Sequence, residues 1–150
     1  MGVVAKYFLT TMPRSGTIKI YGIVSGSSEM RILKTKLFHK WAEEIGLEDA
    51  RLIAAVSEVQ AGLCDASLGG CIYKKRVSIK NQGKRDGVRT IIGLQMRERA
   101  IFIYGYAKNK RDNITQKEEE ALKALAKFYF AYSETQMAKA VQLGELIKVQ

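Results

Sequence analysis

The chain has 150 residues, of which 47% are hydrophobic, and its formal net charge is +10. This length allows one domain with a substantial core, and the hydrophobic fraction is too high for a disordered protein. No run approaches the roughly 20 apolar residues that span a bilayer. The first residues also lack a convincing signal-peptide cleavage site. The sequence therefore predicts a cytoplasmic protein with no membrane partner.

Residues 1–29 differ in composition from the rest of the chain, because they are rich in Gly, Ser and Thr and contain the only proline, Pro13. We interpret them as an N-terminal leader or extension, flexible at least in part, that precedes a domain over residues 30–150. Residues 17–24 have β character, so part of the leader is expected to be ordered. An over-extended start site and a partner-docking arm are the two other interpretations.

Residues 30–35 predict a first strand, and two amphipathic helices follow it. Each helix has apolar residues at a spacing of three and four, and a glycine closes it, Gly46 for the first and Gly62 for the second. The two apolar stripes consist of Phe38, Trp41, Ala42 and Ile45, and of Leu52, Val56, Val59 and Leu63. We therefore predict two short antiparallel helices with these stripes in the core.

Three runs with β character come next, over residues 71–79, 88–95 and 99–106. A glycine-punctuated loop joins the first two runs, and a tight turn at residues 96–98 joins the last two. This arrangement predicts an antiparallel meander. The last two runs are apolar on both faces, which is typical of central strands.

Two further helices are predicted at the C-terminal end, each beginning with a capping box. Thr115 with Glu118 and Ser133 with Gln136 have the required spacing. The predicted fold is α+β: a small antiparallel β-sheet with two N-terminal helices packed on it and two C-terminal helices.

The sequence gives no indication of a metal site or of a cofactor. Its two cysteines, Cys64 and Cys71, are not a CxxC pair, and the single histidine, His39, is distant from both in sequence. We expect reduced thiols, a histidine on a helix face, and no bound metal or cofactor.

The excess positive charge lies in one segment, residues 73–111. This segment has twelve Lys and Arg against Asp86 and Glu98, so its net charge of +10 equals that of the whole chain. The twelve are Lys74, Lys75, Arg76, Lys80, Lys84, Arg85, Arg89, Arg97, Arg99, Lys108, Lys110 and Arg111. Because this charge is concentrated on a strand-rich segment, it predicts a site for a polyanion.

Strand alternation places Lys74 and Arg76 on one face and Lys75 on the other. Tyr104 and Tyr106 precede a further cation cluster of Lys108, Lys110 and Arg111. Cations that hold phosphates, beside aromatic rings that stack bases, are typical of single-stranded RNA binding. Simple core packing of the two tyrosines, and a solvated face for the cations, are the alternatives. In the loop, Lys84 and Arg85 are candidate phosphate contacts.

No nucleophile–base motif occurs in the sequence. An enzyme with these residues would therefore act by positioning and electrostatics. A metal-independent ribonuclease can do so, because the 2′-hydroxyl of the substrate attacks the adjacent phosphorus while Arg and Lys stabilise the added charge.

Residues 30–150 resemble the RelE/HigB superfamily of bacterial type II toxins, and in particular its HigB-like branch. Three motifs carry the resemblance: Lys74-Lys75-Arg76, the GKRDGVR segment at residues 83–89, and YGYAKN at residues 104–109. The segments at residues 68–70 and 144–147 also fit. The resemblance implies a RelE-like fold and a toxin that cleaves mRNA in the ribosomal A site. It further implies a cognate antitoxin, the ribosome and mRNA as partners.

The resemblance also implies roles for individual residues. Catalytic cations correspond to Lys74, Arg76 and Arg89, with Lys108 and Lys110 as candidates after the last strand. Lys75, Lys84, Arg85, Tyr104, Tyr106 and Arg111 are the remaining RNA-binding candidates. Many relatives place a Tyr or His further along for proton transfer, whereas this chain has Asn113, Ile114 and Thr115 there. This departure leaves Lys74, Lys108 and Tyr106 as candidate proton carriers.

Two alternatives to a nuclease remain open. One is a toxin of the related ParE branch, which inhibits DNA gyrase; that branch lacks the catalytic cations. The other is a non-enzymatic RNA-binding protein or decayed toxin, which the missing Tyr or His favours. The sequence does not indicate the codon preference, the antitoxin or the oligomeric state.

Overall fold

The central element is a mixed six-stranded sheet with the strand order β2-β3-β4-β5-β1-β6. The computed structural model of the chain describes residues 29–79 and 87–150, so the predictions for residues 1–28 and for the loop at residues 80–86 lie outside the described residues. The strands are β1 Arg31–Thr35, β2 Ala66–Gly69, β3 Ile72–Val77, β4 Val88–Gln95, β5 Arg99–Ala107 and β6 Leu146–Lys148. The helices are α1 Lys36–Ile45, α2 Asp49–Gln60, α3 Gln116–Phe130 and α4 Glu134–Gln142.

The predicted α+β fold is confirmed, and the sheet is mostly antiparallel. Strands β3 to β5 form the predicted antiparallel meander, and β2 extends it by one antiparallel strand. Two features were not predicted. Strand β1 pairs in parallel with β5, and the short strands β2 and β6 extend the sheet at its two edges.

Both N-terminal helices end close to where their sequence signals place them. Thr35 caps α1, because its Oγ1 accepts a hydrogen bond from the Phe38 amide at 3.1 Å. Gly46 ends α1 with a φ of 74°, a left-handed conformation that glycine adopts without steric cost. The prediction for Leu63 is wrong, because α2 ends at Gln60 and Leu63 is 61% exposed beyond it.

The two C-terminal helices begin with the capping boxes that their sequences predict. Thr115 and Glu118 cap α3 reciprocally, and Ser133 and Gln136 cap α4 in the same way. None of the helices in the described residues is long and apolar enough to cross a membrane. Both cysteines are free thiols.

The helices cover the two faces of the sheet in pairs. Ile72 and Ile91 pack under α3 and α4 in one apolar cluster. Lys75 and Gly105 point to the opposite face, where they contact α2 and α1 respectively. The strand alternation thus separates a layer of α1 and α2 from a layer of α3 and α4.

At Gly105, the Trp41 ring of α1 lies directly against the backbone of β5. A Cβ atom at this position would lie 2.1 Å from Cζ3 of Trp41. The YGYA segment therefore needs glycine at its second position so that the Trp41 ring can lie on β5. The contact fixes Tyr104 and Tyr106, the neighbours of Gly105, relative to α1.

Candidate nucleic-acid interface

Two neighbouring rows of side chains cross β3, β4 and β5 at one end of the sheet. The first row consists of Arg76, Arg89 and Tyr106, which are paired in register. The second row consists of Lys74, Ile91 and Tyr104. Directly opposed residues on neighbouring strands point to the same face. Lys74 and Arg76 are alternate residues of β3, and Arg89 lies on β4. The sheet therefore brings these three cations together beside the two tyrosines of β5.

The exposure of these side chains differs along the first row. Arg76 is partly exposed, and it makes no hydrogen bond or ion pair with another described residue. The Arg89 side chain is 13% exposed, and its Nε lies 3.4 Å from Oδ2 of Asp65. Tyr106 is only 4% exposed. The row thus runs from an accessible cation at β3 to a nearly buried phenol at β5.

Asn113, in the segment between β5 and α3, joins the two rows. Its Oδ1 accepts hydrogen bonds from Lys74 Nζ at 3.2 Å and from the Tyr106 hydroxyl at 3.3 Å. The same oxygen accepts a bond from the Ile114 amide at 2.8 Å. Our sequence reasoning treated residues 113–115 only as the place where a Tyr or His is missing. An asparagine in a loop carries no signal that would have revealed this contact.

Arg111 lies across the two tyrosines. Its Cζ is 5.8 Å from the centre of the Tyr106 ring, a cation–π distance, and its Nη1 donates to the Tyr104 hydroxyl at 3.1 Å. The guanidinium also donates to both carboxylate oxygens of Glu118. These bonds raise the pKa of Arg111 above its usual value, and the contact with Arg111 lowers the pKa of Glu118 to about 2. Much of the charge of Arg111 is therefore compensated.

Burial of the Tyr106 ring raises the pKa of its phenol, although Arg89 and Arg111 act in the opposite direction. The phenol is consequently protonated at neutral pH. A protonated phenol can donate a hydrogen bond or a proton, and it is a poor base. The two tyrosine rings lie at a small tilt with centroids 6.0 Å apart, so they form one aromatic surface.

Lys75 does not belong to this cluster, and its assignment to RNA binding needs correction. The residue is 6% exposed on the opposite face. Its Nζ donates to the Leu63 carbonyl at 2.9 Å and forms an ion pair with Glu58 at 2.6 Å. Lys75 thus attaches α2 and the turn after it to the sheet, where RNA cannot reach its charge.

Other cations of the basic segment also lie apart from the two rows. Arg99 is buried, with Nη1 donating to the Tyr129 carbonyl and Nη2 to Glu134. Arg97 is exposed in the turn at the other end of β4 and β5. The positive charge of residues 73–111 therefore serves both the fold and the site.

Lys108 and Lys110 are exposed in the turn that follows β5. The chain folds back there, because the Lys110 and Arg111 amides both donate to the Ala107 carbonyl. The turn places the two lysines at the margin of the rows. Neither ammonium group forms a hydrogen bond or an ion pair with a described residue. Lys84 and Arg85 lie outside the described residues.

A family model described as "RelE toxin of RelE / RelB toxin-antitoxin system" matches residues 30–149. The match covers every element of the fold and all the residues of the two rows. A comparison with curated proteins gave no match.

Proposed function

The chain belongs to the RelE toxin family, the toxins of a toxin–antitoxin system, and from that premise we propose that it is a ribosome-dependent mRNA endoribonuclease. On the KKR, GKRDGVR and YGYAKN motifs we place it in the HigB-like branch of the superfamily. In this proposal it acts in the cytoplasm, and its cognate antitoxin neutralises it.

The convergence of Lys74, Arg76 and Arg89 on one face of the sheet supports this proposal most directly. Three cations from two strands converge there, and of the three only Arg89 forms an ion pair with a carboxylate of the described residues, so the site has a positive potential. The adjacent ring of Tyr104, which is partly exposed whereas Tyr106 is buried, offers a surface for an unpaired base. RNA combines both features in one ligand, since its phosphates carry charge and its bases stack.

The chemistry proposed for this site uses the 2′-hydroxyl of the substrate as the nucleophile. The 2′-oxygen forms a bond to phosphorus as the bond to the 5′-oxygen breaks, which leaves a cyclic phosphate and a free 5′-hydroxyl. The pentacovalent phosphorane between these states carries extra negative charge. Lys74, Arg76 and Arg89 are suited to stabilise it, because they are preorganised by the sheet.

In this proposal the proton of the attacking 2′-hydroxyl passes to solvent water, and a protein side chain supplies the proton that the leaving 5′-oxygen takes up. Tyr106 is suited to donate a proton towards the leaving 5′-oxygen, because its phenol is protonated and is held by Asn113. Lys74 lies beside it, with both groups bonded to the same oxygen atom. In this proposal Tyr106 of β5 takes the place of the missing Tyr or His of the family pattern, and Lys74 of β3 stays protonated and stabilises charge.

A reconstituted translation assay tests the proposal. Purified protein is added to ribosomes stalled with a defined codon in the A site, and the 5′ ends of the mRNA are mapped by primer extension. We expect new cuts in the A-site codon that require ribosomes and that leave a 5′-hydroxyl. Intact mRNA would contradict the proposal. Inhibition of DNA supercoiling by gyrase would then favour the ParE-like alternative, and RNA binding without cleavage would favour a non-enzymatic protein.

A further inference from the structure

We propose that Asn113 is a positioning residue of the cleavage site: its carboxamide oxygen holds the Lys74 ammonium group beside the Tyr106 hydroxyl without neutralising its charge. This inference rests on the proposed ribonuclease function. It concerns a residue that no sequence motif singles out.

The orientation of the Asn113 amide is determined by its partners. The backbone amide of Ile114 and the ammonium group of Lys74 can only donate hydrogen bonds, so the atom between them must be the oxygen. The Tyr106 hydroxyl completes the set as a third donor. The amide nitrogen of Asn113 donates to no other described residue, so its two hydrogens are available to a ligand.

The bond to Lys74 is not required to shape the loop. The Ile114 amide bond fixes the Asn113 side chain locally, and the reciprocal cap of Thr115 and Glu118 begins α3. The contact with Lys74 instead crosses to β3, from a position 39 residues away. A partly exposed lysine gains little stability from one bond to a neutral amide. The main effect of the contact with Asn113 is therefore to fix the position of the Lys74 ammonium group.

Lys74 differs from the other cations of the site that have a fixed partner, because its partner, Asn113, is neutral. Arg89 is held by the carboxylate of Asp65, and Arg111 by the carboxylate of Glu118. Each of these ion pairs must compete with a phosphate for the same cation. Lys74 is held equally in place by an amide, so its full positive charge is available to the phosphorane.

An isosteric substitution separates this role from a merely structural one. In Asn113→Asp the oxygen that accepts from Lys74, Tyr106 and Ile114 is retained, whereas the added charge neutralises Lys74. We expect a melting temperature equal to or above that of the wild type and a kcat for cleavage on programmed ribosomes lower on the order of 100-fold. Gln142→Glu, at an exposed position of α4, makes the same amide-to-carboxylate change on a helix that contributes no residue to the two rows, and it is expected to retain nearly all of the rate.

A split between kcat and KM gives a second measurement that a merely structural role would not produce. Asn113→Ala, which removes the acceptor without adding charge, is expected to lower kcat on the order of 10-fold with little change in KM.

The outcomes are distinguishable. Wild-type cleavage with loss in a stable Asn113→Asp variant supports the inference. Wild-type cleavage with Asn113→Asp and Asn113→Ala at a similar kcat overturns the inference and leaves the proposed function intact. A wild-type protein that does not cleave mRNA overturns the proposed function and the inference with it.

Discussion

Arg111 donates two hydrogen bonds to the carboxylate of Glu118, from Nη2 to Oε1 at 2.5 Å and from Nη1 to Oε2 at 3.0 Å. The pair joins the segment after β5 to the first turn of α3. It also holds the Arg111 guanidinium over the Tyr106 ring. This ion pair therefore stabilises the segment, and the pKa of Glu118 determines the pH range over which it does so.

Glu118→Gln is expected to lower the melting temperature in a pH-dependent way. Gln at this position preserves the capping box and removes only the charge. The pKa of Glu118 is lowered from 4.5 to about 2 in the folded protein. The stabilisation is thus fully present above about pH 4.5 and is lost as the pH falls towards 2. Thermal unfolding between pH 2 and pH 7 should show the difference between the two proteins shrinking with acidity; a constant difference would refute this account.

The adjacent lysines Lys74 and Lys75 are expected to give opposite phenotypes when each is changed to methionine. Lys75→Met removes a buried ammonium group and leaves the Leu63 carbonyl without its partner, at a cost of about 1–3 kcal/mol in the free energy of unfolding. Lys74→Met is expected to change the free energy of unfolding by less than about 0.5 kcal/mol, as is usual for surface positions. Urea unfolding measures both values.

Cleavage rates complete this comparison, because both variants lose one positive charge in the same strand. Lys74→Met should lower the rate on the order of 100-fold, since it removes a charge from the site. Lys75→Met should cleave at nearly the wild-type rate at temperatures where it is folded. Equal losses in the two variants would mean that net charge, and not location, governs the activity.

Gly105→Ala is expected to destabilise the fold by about 1–3 kcal/mol, because the new methyl group would overlap the Trp41 ring. Gly93→Ala is the matched control on β4. Its Cβ would lie 3.2 Å from the tip of Phe130, so a smaller shift accommodates it. In a Trp41→Leu background the cost of Gly105→Ala should fall by about 1 kcal/mol or more. Denaturant unfolding of the four proteins of this cycle provides the test, and strict additivity would rule out the proposed overlap.

Tyr106→Phe is expected to slow cleavage on the order of 10-fold to 100-fold, because it removes the proposed proton donor and keeps the ring under Arg111. Burial raises the pKa of Tyr106, so its phenol remains protonated throughout the range in which ribosomes are active. The ratio of wild-type to variant rates should therefore be the same at pH 6.5 and pH 8.5, values chosen as roughly two units apart within that range. A ratio that falls as the pH rises would show that Tyr106 ionises in this range.

The strength of the local signals decided which elements of the fold could be predicted. The run over β4, Val88–Gln95, is apolar on both faces and has turn signals at both ends, and its predicted bounds match the structure. Strand β6 has three residues, and its partner β1 is distant from it in sequence, with Leu33 opposite Lys148. A pairing between segments so far apart leaves no periodic pattern of apolar residues in the local sequence. The parallel contact between β1 and β5 is unpredictable for the same reason.

The site shows a similar division. Alternation placed Lys74 and Lys75 on opposite faces, and the register confirms this. Which face is covered depends on Glu58 of α2, whose approach no pattern in β3 reveals. Asn113 has a role only through the donors that the fold brings to it from β3 and β5. Residue type and spacing in the sequence identify the cations. The contact by which the neutral Asn113 positions Lys74 can be recognised only from the three-dimensional structure.

The account depends most on the two rows acting as one site, and Arg76 gives the most direct test. Its side chain forms no hydrogen bond or ion pair with a described residue, so Arg76→Ala breaks no polar contact of that kind. Arg97→Ala removes the same charge from the other end of the β4–β5 hairpin, about 20 Å away at the rise of a strand and beyond the screening length of about 8 Å.

Single-turnover cleavage on programmed ribosomes should be slower on the order of 100-fold for Arg76→Ala. Arg97→Ala should remain close to the wild-type rate, with both variants as stable as the wild type. Equal rates for the two variants would contradict the account, since the accessible cation of the first row would then have no part in the reaction.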